Sequence, residues 1–182
     1  FAVNKNTSNI TIAVEPVYKV RQGIVITLDP KNSTGPVTVT INGESHEVVD
    51  RTTVTINGGL PAGDYIINAV LAENENYTGA FENETFKVIK DIPAISAEDI
   101  NFTVTHEGIL NITGSNDIAA DLIVTIYGNN ISAVLINGNA RVNVSYLPVG
   151  TYQVTVTYLE NDKYNKTTFT NVATITVKDK TD

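Results

Sequence analysis

The sequence contains no cysteine, methionine or tryptophan. Without cysteine the chain forms no disulfide and offers no thiolate for nucleophilic catalysis or metal binding. Positive charge is scarce as well, because 12 Lys and Arg stand against 20 Asp and Glu, which gives a formal net charge of −8. Both halves are acidic and repel the phosphate backbone of nucleic acids, so we expect no nucleic-acid partner.

Long apolar runs are also missing from the sequence. No run approaches the roughly 18 residues that a membrane span requires, and no positively charged start leads into the apolar segment of a signal peptide. We therefore expect no membrane span in this segment. We also expect the signal and the anchor of a longer protein to lie outside the 182 residues.

The residues that are present favour β-structure. Hydrophobic residues make up 42% of the chain and are mostly Val and Ile, while Thr and Asn are abundant. Such β-branched side chains suit the pleated surface of a sheet and lose rotamer freedom in a helix. The composition predicts an all-β fold, and the length suits two domains of about 90 residues.

The two halves of the chain repeat each other. Leu-Pro-Ala-Gly-Asp-Tyr at 60–65 recurs as Leu-Pro-Val-Gly-Thr-Tyr at 147–152, and the same offset of 87 carries Tyr77 onto Tyr164. Repeats decide architecture before any other signal. We predict two tandem domains, residues 1–90 and 91–182, with a short linker at about 90–94 that Pro93 stiffens.

Alternation of apolar and polar residues between turn signals predicts seven strands in each half. In the first half they are 9–15, 23–28, 36–42, 44–49, 51–57, 64–72 and 81–89, and in the second 99–105, 108–113, 121–127, 131–136, 139–145, 151–159 and 169–178. Asn42-Gly43 predicts a type I′ hairpin, and Pro30 to Gly35 is expected to separate two strands. The pattern is typical of a Greek-key immunoglobulin-like β-sandwich.

Tyr65 and Tyr152 follow the repeated turn and enter the sixth strand of each half. This is the position of a tyrosine corner, in which the hydroxyl bonds back to the backbone a few residues upstream. Two residues further on, where antibody domains have a cysteine, the chain has Ile67 and Val154. We expect these to pack against aliphatic residues of the second strand, in place of a disulfide.

At the level of motifs the chain resembles a known family. Val-Thr-Val-Thr-Ile-Asn-Gly at 37–43, the segments at 60–65 and 73–77, and the final Phe-Lys-Val at 86–88 look like the bacterial-Ig-type repeats of adhesin-like surface proteins, most like those of methanogenic archaea. The second half departs from the pattern, with Gly128-Asn129-Asn130 in place of Asn-Gly. The resemblance implies an Ig-like fold, extracellular display at the cell surface in long arrays, and a role in cell adhesion.

Catalytic residues are not apparent in either half. His46 and His106 occur once per half at non-equivalent places, so they do not converge on one site. No insertion forms a cleft that would hold two carboxylates for glycoside hydrolysis, and no phosphate-binding loop is present. We predict that the chain is not an enzyme and binds no organic cofactor.

Two covalent modifications of asparagine are compatible with the sequence. Ten Asn-x-Ser/Thr sequons occur, of which Asn32, Asn76, Asn83, Asn130 and Asn165 are the glycosylation candidates, although a chain rich in Asn and Thr also generates sequons by composition. A cross-link between Asn83 and either Lys5 or Lys19 is a further hypothesis.

Calcium is a weaker hypothesis, because carboxylates lie near predicted loops but no spaced calcium-loop motif accompanies them. The candidate ligands are Asp29, Asp50, Asp64, Glu73 and Glu75 in the first half, Asp117, Asp121, Glu160 and Asp162 in the second, and Asp91, Glu98 and Asp99 near the junction.

Three functions are compatible with the sequence. The first is a non-catalytic stalk or spacer that displays an adhesive region and contacts mainly other repeats of its own chain. The second is direct binding of a cell-surface glycan or a protein of a partner cell, through an edge strand or through loops such as 32–36 and 115–121. The third is an accessory module of a secreted hydrolase.

Overall fold

The computed structural model describes residues 3–115 and 119–181, and within these ranges it contains strands, turns and connecting segments but no helix. The chain divides into two compact units, Phe1–Lys90 (unit 1) and Asp91–Asp182 (unit 2). The fold is all-β, as the composition predicts.

Unit 1 is a sandwich of two sheets. One sheet has three strands in the order β1-β3-β6 and the other has five in the order β2-β8-β7-β4-β5. The strands are β1 Asn9–Ala13, β2 Val17–Lys19, β3 Ile24–Lys31, β4 Val37–Ile41, β5 Glu44–His46, β6 Thr53–Ile56, β7 Gly63–Leu71 and β8 Ala80–Ile89.

Unit 2 has the same architecture. Its three-stranded sheet runs β14-β11-β9 and its five-stranded sheet runs β10-β16-β15-β12-β13. The strands are β9 Ile95–Ala97, β10 Ile100–Thr103, β11 Ile109–Gly114, β12 Ala120–Ile126, β13 Asn129–Leu135, β14 Asn139–Asn143, β15 Gly150–Tyr158 and β16 Thr167–Lys178.

Each unit has a core of its own, formed by the inward-facing residues that alternate with outward-facing ones along the strands. Ile67 and Val154 are fully buried in the two separate clusters. Ile24 and Ile26 of β3 belong to the same cluster as Ile67, and Leu110 and Ile112 of β11 belong to the same cluster as Val154. The expected aliphatic packing is confirmed, and each such side chain contributes about 1.5–3 kcal/mol on burial.

The prediction of about seven strands per unit is close to what the structure shows, since the described residues of each unit form eight. The first strand is divided between the sheets: β1 pairs antiparallel with β3, and β2 then pairs parallel with β8. Pro16 lies at the break and has no N–H for a ladder. In unit 2, β9 pairs with β11 and β10 pairs parallel with β16. The predicted strands do not include β9.

Pro30 does not end its strand as predicted. It lies inside β3 opposite Ile10, while the pairing of β3 with β6 stops at Thr27. The missing N–H of Pro30 therefore falls where only one neighbour pairs, which is a position that a sheet tolerates.

The predicted type I′ turn at Asn42-Gly43 is confirmed by positive φ angles of 48° and 87°. In unit 2 the equivalent turn is Tyr127-Gly128, with φ angles of 50° and 73°. The predicted strand 121–127 was therefore one residue too long, and the turn does not begin at Gly128.

Candidate functional site

The repeated Leu-Pro-x-Gly-x-Tyr segment places a tyrosine hydroxyl against the backbone in both units. Tyr65 donates to the carbonyl of Pro61 at 2.7 Å, and Tyr152 donates to the carbonyl of Pro148 at 2.9 Å. A bond of this kind, from the start of the sixth predicted strand back to the preceding turn, is the geometry of a tyrosine corner. Both tyrosines therefore serve the scaffold.

The acidic-Asn-Tyr segment of each unit forms a clip that holds the incoming chain. Asn74 Oδ1 accepts hydrogen bonds from the backbone N–H of Asn76 and Tyr77, at 3.0 and 2.8 Å. The backbone of Asn6 then pairs with both sides of Tyr77, donating to Asn76 O at 2.9 Å and accepting from Thr78 N at 2.8 Å.

Unit 2 repeats the clip with the same bonds. Asn161 Oδ1 accepts from the N–H of Lys163 and Tyr164 at 3.0 and 2.8 Å. Asp91 donates to Lys163 O at 2.8 Å and accepts from Asn165 N at 3.0 Å. In the sequence these segments appear only as part of the repeat, and the offset of 87 between Asn74 and Asn161 is the signal that points to their shared role.

The chain leaves each unit along a strand that runs parallel to the one by which it entered. Val17–Lys19 pairs parallel with residues 87–89 of β8, and Ile100–Thr103 pairs parallel with residues 175–178 of β16. Just beyond these pairs, Val20 N donates to Ile89 O at 2.9 Å, and Val104 N donates to Lys178 O at 3.0 Å.

The loop 32–36, one of the two loops suggested for ligand binding, is fixed from within. Ser33 is buried and donates to the carbonyl of Ala72 at 2.6 Å. Arg51 donates to the carbonyls of Ser33 and Gly35 at 2.7 and 3.0 Å. The sequence carries no signal for this arrangement, because the arrangement depends on tertiary contacts of an arginine and a serine that belong to no motif. The other loop, 115–121, lies partly outside the described residues.

The outer faces of the two five-stranded sheets differ in polarity. On unit 1 the exposed apolar residues within the β7–β8 ladder are Ile66, Val70 and Phe81, and the residues at the equivalent register positions in unit 2 are Gln153, Thr157 and Thr168. The same architecture thus forms in unit 2 with polar residues at these positions.

The sequon asparagines all lie on the surface. The side chains of Asn76, Asn83 and Asn165 are exposed. Asn32 is exposed as well, but its amide donates to Thr7 O at 2.9 Å and its φ is +73°. Asn130 Oδ1 accepts from Thr125 Oγ1 at 2.8 Å.

The carboxylates suggested as calcium ligands are dispersed. Among the described residues, no group of three or more His, Asp or Glu side chains is placed to hold a metal ion; Asp117 lies outside them. Asp29, Asp64 and Glu73 form ion pairs with Lys31, Lys87 and Lys5 at 2.8, 3.3 and 2.9 Å, and Asp99 accepts from Thr174 N at 2.7 Å.

A cross-link from Lys19 to Asn83 does not fit the strand register. Lys19 is opposite Ile89, and Asn83 lies six residues away along β8, a distance of about 20 Å. For the alternative, Lys5 is ion-paired with Glu73.

Three tyrosines have a pKa that burial shifts. Burial raises the pKa of Tyr65, Tyr146 and Tyr158 above the ordinary value of 10, and the hydrogen bond from Asn161 partly opposes this at Tyr158. His106 contacts Thr103 and Thr105 through Nδ1.

The fold and these contacts define a class: two tandem immunoglobulin-like β-sandwich domains. No helix in the described residues is long and apolar enough to cross a membrane. No protein-family profile and no curated protein sequence matches the chain.

A solved structure of titin domains shows the likeness of fold. The titin domains Z1Z2, solved in complex with telethonin, are 11% identical, with a TM-score of 0.51 over 98% of this chain and 100% of that one. The fibronectin(III)-like modules of Clostridium thermocellum CbhA are 13% identical, with a TM-score of 0.38 over 93% of this chain and 95% of that one. The tandem Ig repeats of Dlar are 10% identical, with a TM-score of 0.36 over 94% and 98%.

Proposed function

We propose that the chain is a stalk or spacer segment of a cell-surface adhesin-like protein and that its two domains carry tension between an anchor and an adhesive region. The observation that carries the proposal is the parallel pairing of the second strand with the last strand in both units, β2 with β8 and β10 with β16. The two units share their architecture but few of their surface residues. This combination fits a repeated module that has no ligand site of its own.

Parallel pairing makes a unit resist being pulled at its two ends. In unit 1 the chain enters at Asn6, beside Tyr77 and near the start of β8, and it leaves beyond Ile89, at the end of β8. Tension between these ends slides β2 along β8 and stretches several hydrogen bonds at once. Unit 2 has the same arrangement, from Asp91 beside Tyr164 to the end of β16.

Single-molecule force spectroscopy on the whole chain, tethered at both ends, tests this function. We expect two unfolding events, each releasing about 28 nm of chain. V20P removes the N–H that bonds to Ile89 O and should lower the force of one event only. V104P removes the equivalent bond to Lys178 O and should lower the other, so each variant controls for the other. Two events whose forces neither variant changes would contradict a mechanical role for these pairs.

Display at the cell surface is the second part of the proposal, and the exposed sequons support it. On intact source cells, an antibody against the chain should label the surface without permeabilisation. Peptides that contain Asn83, Asn76 or Asn165 should carry glycan. Asn32 should stay unmodified, because its amide is engaged with Thr7 O. Labelling only after permeabilisation would contradict the surface location.

Direct binding of a partner protein by unit 1 is a second candidate, favoured by the apolar outer face that unit 2 lacks. The variant I66Q/V70T/F81T gives unit 1 the polar residues of unit 2 at these places. In a pull-down from the surface fraction of partner cells, the wild-type chain should retain a protein that this variant does not. Equal retention by both would remove this candidate.

A further inference from the structure

Strand β13 is the longest strand at the edge of a sheet in the described parts of the chain. It has seven residues, Asn129–Leu135, and pairs with β12 on one side. The other edge strands, which are β1, β2, β5, β6, β9, β10 and β14, have three to five residues. A long edge strand presents unpaired backbone groups to which another strand can add, and natural proteins usually shorten or charge such edges.

The turn before β13 determines which of its residues face the open side. Tyr127-Gly128 is a two-residue type I′ turn, and in such a hairpin the flanking residues, Ile126 and Asn129, form a hydrogen-bonded pair. Pairs then alternate between bonded and non-bonded along the ladder. The backbone N–H and C=O groups of Asn130, Ser132 and Val134 therefore point away from β12.

Charge is absent from this edge. The segment 122–140 contains no Asp, Glu, Lys or Arg, although the whole chain carries a net charge of −8. Unit 1 treats the equivalent edge differently: β5 has three residues, begins with Glu44 and is followed by Glu47. An open edge is therefore not a requirement of the shared fold.

We propose that β13 pairs antiparallel with β13 of a second copy of this chain, joining the two five-stranded sheets edge to edge. A two-fold axis at Ser132 sets the register. Ser132 then lies opposite its own symmetry mate, Asn130 lies opposite Val134, and Ile131 lies opposite Ala133. All six outward backbone groups of each strand find partners in this arrangement.

A second copy fits this edge for two reasons. The register is self-complementary, as an isologous interface requires, and the side chains that it sets against one another are uncharged: apolar, amide or hydroxyl. Two acidic chains also repel each other, and pairing through the charge-free strand β13 places no like charges opposite each other along the ladder. A contact between two strands is small, so association is expected to be weak, in the micromolar to millimolar range.

Sedimentation equilibrium of the full chain, without glycans because Asn130 begins a sequon, tests the pairing. Wild-type protein should form a dimer as its concentration rises. S132K and S132E each place a charge opposite its own copy and should abolish dimerisation. S132K also lowers the net negative charge, so its loss of dimer would not reflect overall repulsion. An equimolar mixture of S132K and S132E should recover the dimer, because opposite charges then face each other.

A proline provides the second test. S132P removes an N–H that faces the open side and leaves the pairing with β12 intact, so it should weaken the dimer by about tenfold or more. S45P makes the matched change on β5 and should leave the dimer unchanged. Wild-type protein that stays monomeric at millimolar concentration, S132P that dimerises like wild type, or a mixture of S132K and S132E that stays monomeric would each overturn the proposal.

Discussion

Tyr65 and Tyr152 each make one hydrogen bond that crosses from a strand to the preceding turn, and each bond lies near solvent. The position of both residues followed from the sequence, because the Leu-Pro-x-Gly-x-Tyr spacing is local. The spacing does not indicate how much each hydrogen bond contributes to the free energy of unfolding, because an exposed hydrogen bond competes with water.

Removal of either hydroxyl should destabilise only the unit that contains it. For Y65F and Y152F we expect a loss of about 0.5–1.5 kcal/mol in the free energy of unfolding. Urea titration followed by amide NMR reports each unit separately. Y146F, a change at an exposed tyrosine, should stay within about 0.5 kcal/mol. A loss for Y146F as large as for the corner variants would show that the corner bond has no special role.

Gly63 and Gly150 occupy the same place in the two corners, but their surroundings differ. Gly150 has φ +157°, and a Cβ there would lie 3.0 Å from the Tyr152 hydroxyl. At Gly63 the nearest atom would be Tyr65 Cε2 at 3.7 Å, which is ordinary contact. The two glycines look identical in the sequence, so this difference was beyond prediction.

Alanine should therefore have unequal effects at the two positions. G150A should destabilise unit 2 by about 1–3 kcal/mol, through backbone strain and the contact with Tyr152. G63A should change unit 1 by less than about 1 kcal/mol. The same NMR-detected urea titration measures both, and equal losses would contradict the account of the corner.

At the scale of elements, alternation predicted the bounds of the central strands to within one or two residues, except for β3, which runs three residues beyond its predicted end. Strand β15 was expected at 151–159 and lies at Gly150–Tyr158, because its inward Val and outward Thr alternate without interruption. The short strands β2 and β9 were missed because three residues carry too little pattern. Their partners lie far away in the sequence, so only the assembled sandwich shows which sheet they join.

The clip is the element whose role the sequence concealed, and N161A tests it. Loss of Oδ1 leaves two backbone N–H groups without their acceptor, so we expect unit 2 to lose about 1–2 kcal/mol. Amide exchange should also speed up at Asp91 and Asn165, whose bonds close the clip. N111A, at an exposed position on β11, is the control. Unchanged exchange at Asp91 in N161A would show that the clip holds without Asn161.

At the scale of the whole molecule, the repeat offset and the aliphatic composition were sufficient to predict two sandwiches. The sequence could not reveal how their surfaces diverge, because exposed faces and edges are free to vary while the core pattern is kept. Ile66 against Gln153, and Glu44 against Asn129, are substitutions of this kind. The two units therefore share an architecture and differ in their exposed residues.

The central claim is that residues 1–90 and 91–182 are separate sandwiches, each closed by its own core. It is tested most directly by amide NMR spectra of the two segments produced individually. The account predicts that each segment folds alone and that the amide peaks of its buried strands, such as β3 and β7 or β12 and β15, keep the positions they have in the whole chain. A segment that gives the narrow dispersion of an unfolded chain would contradict it.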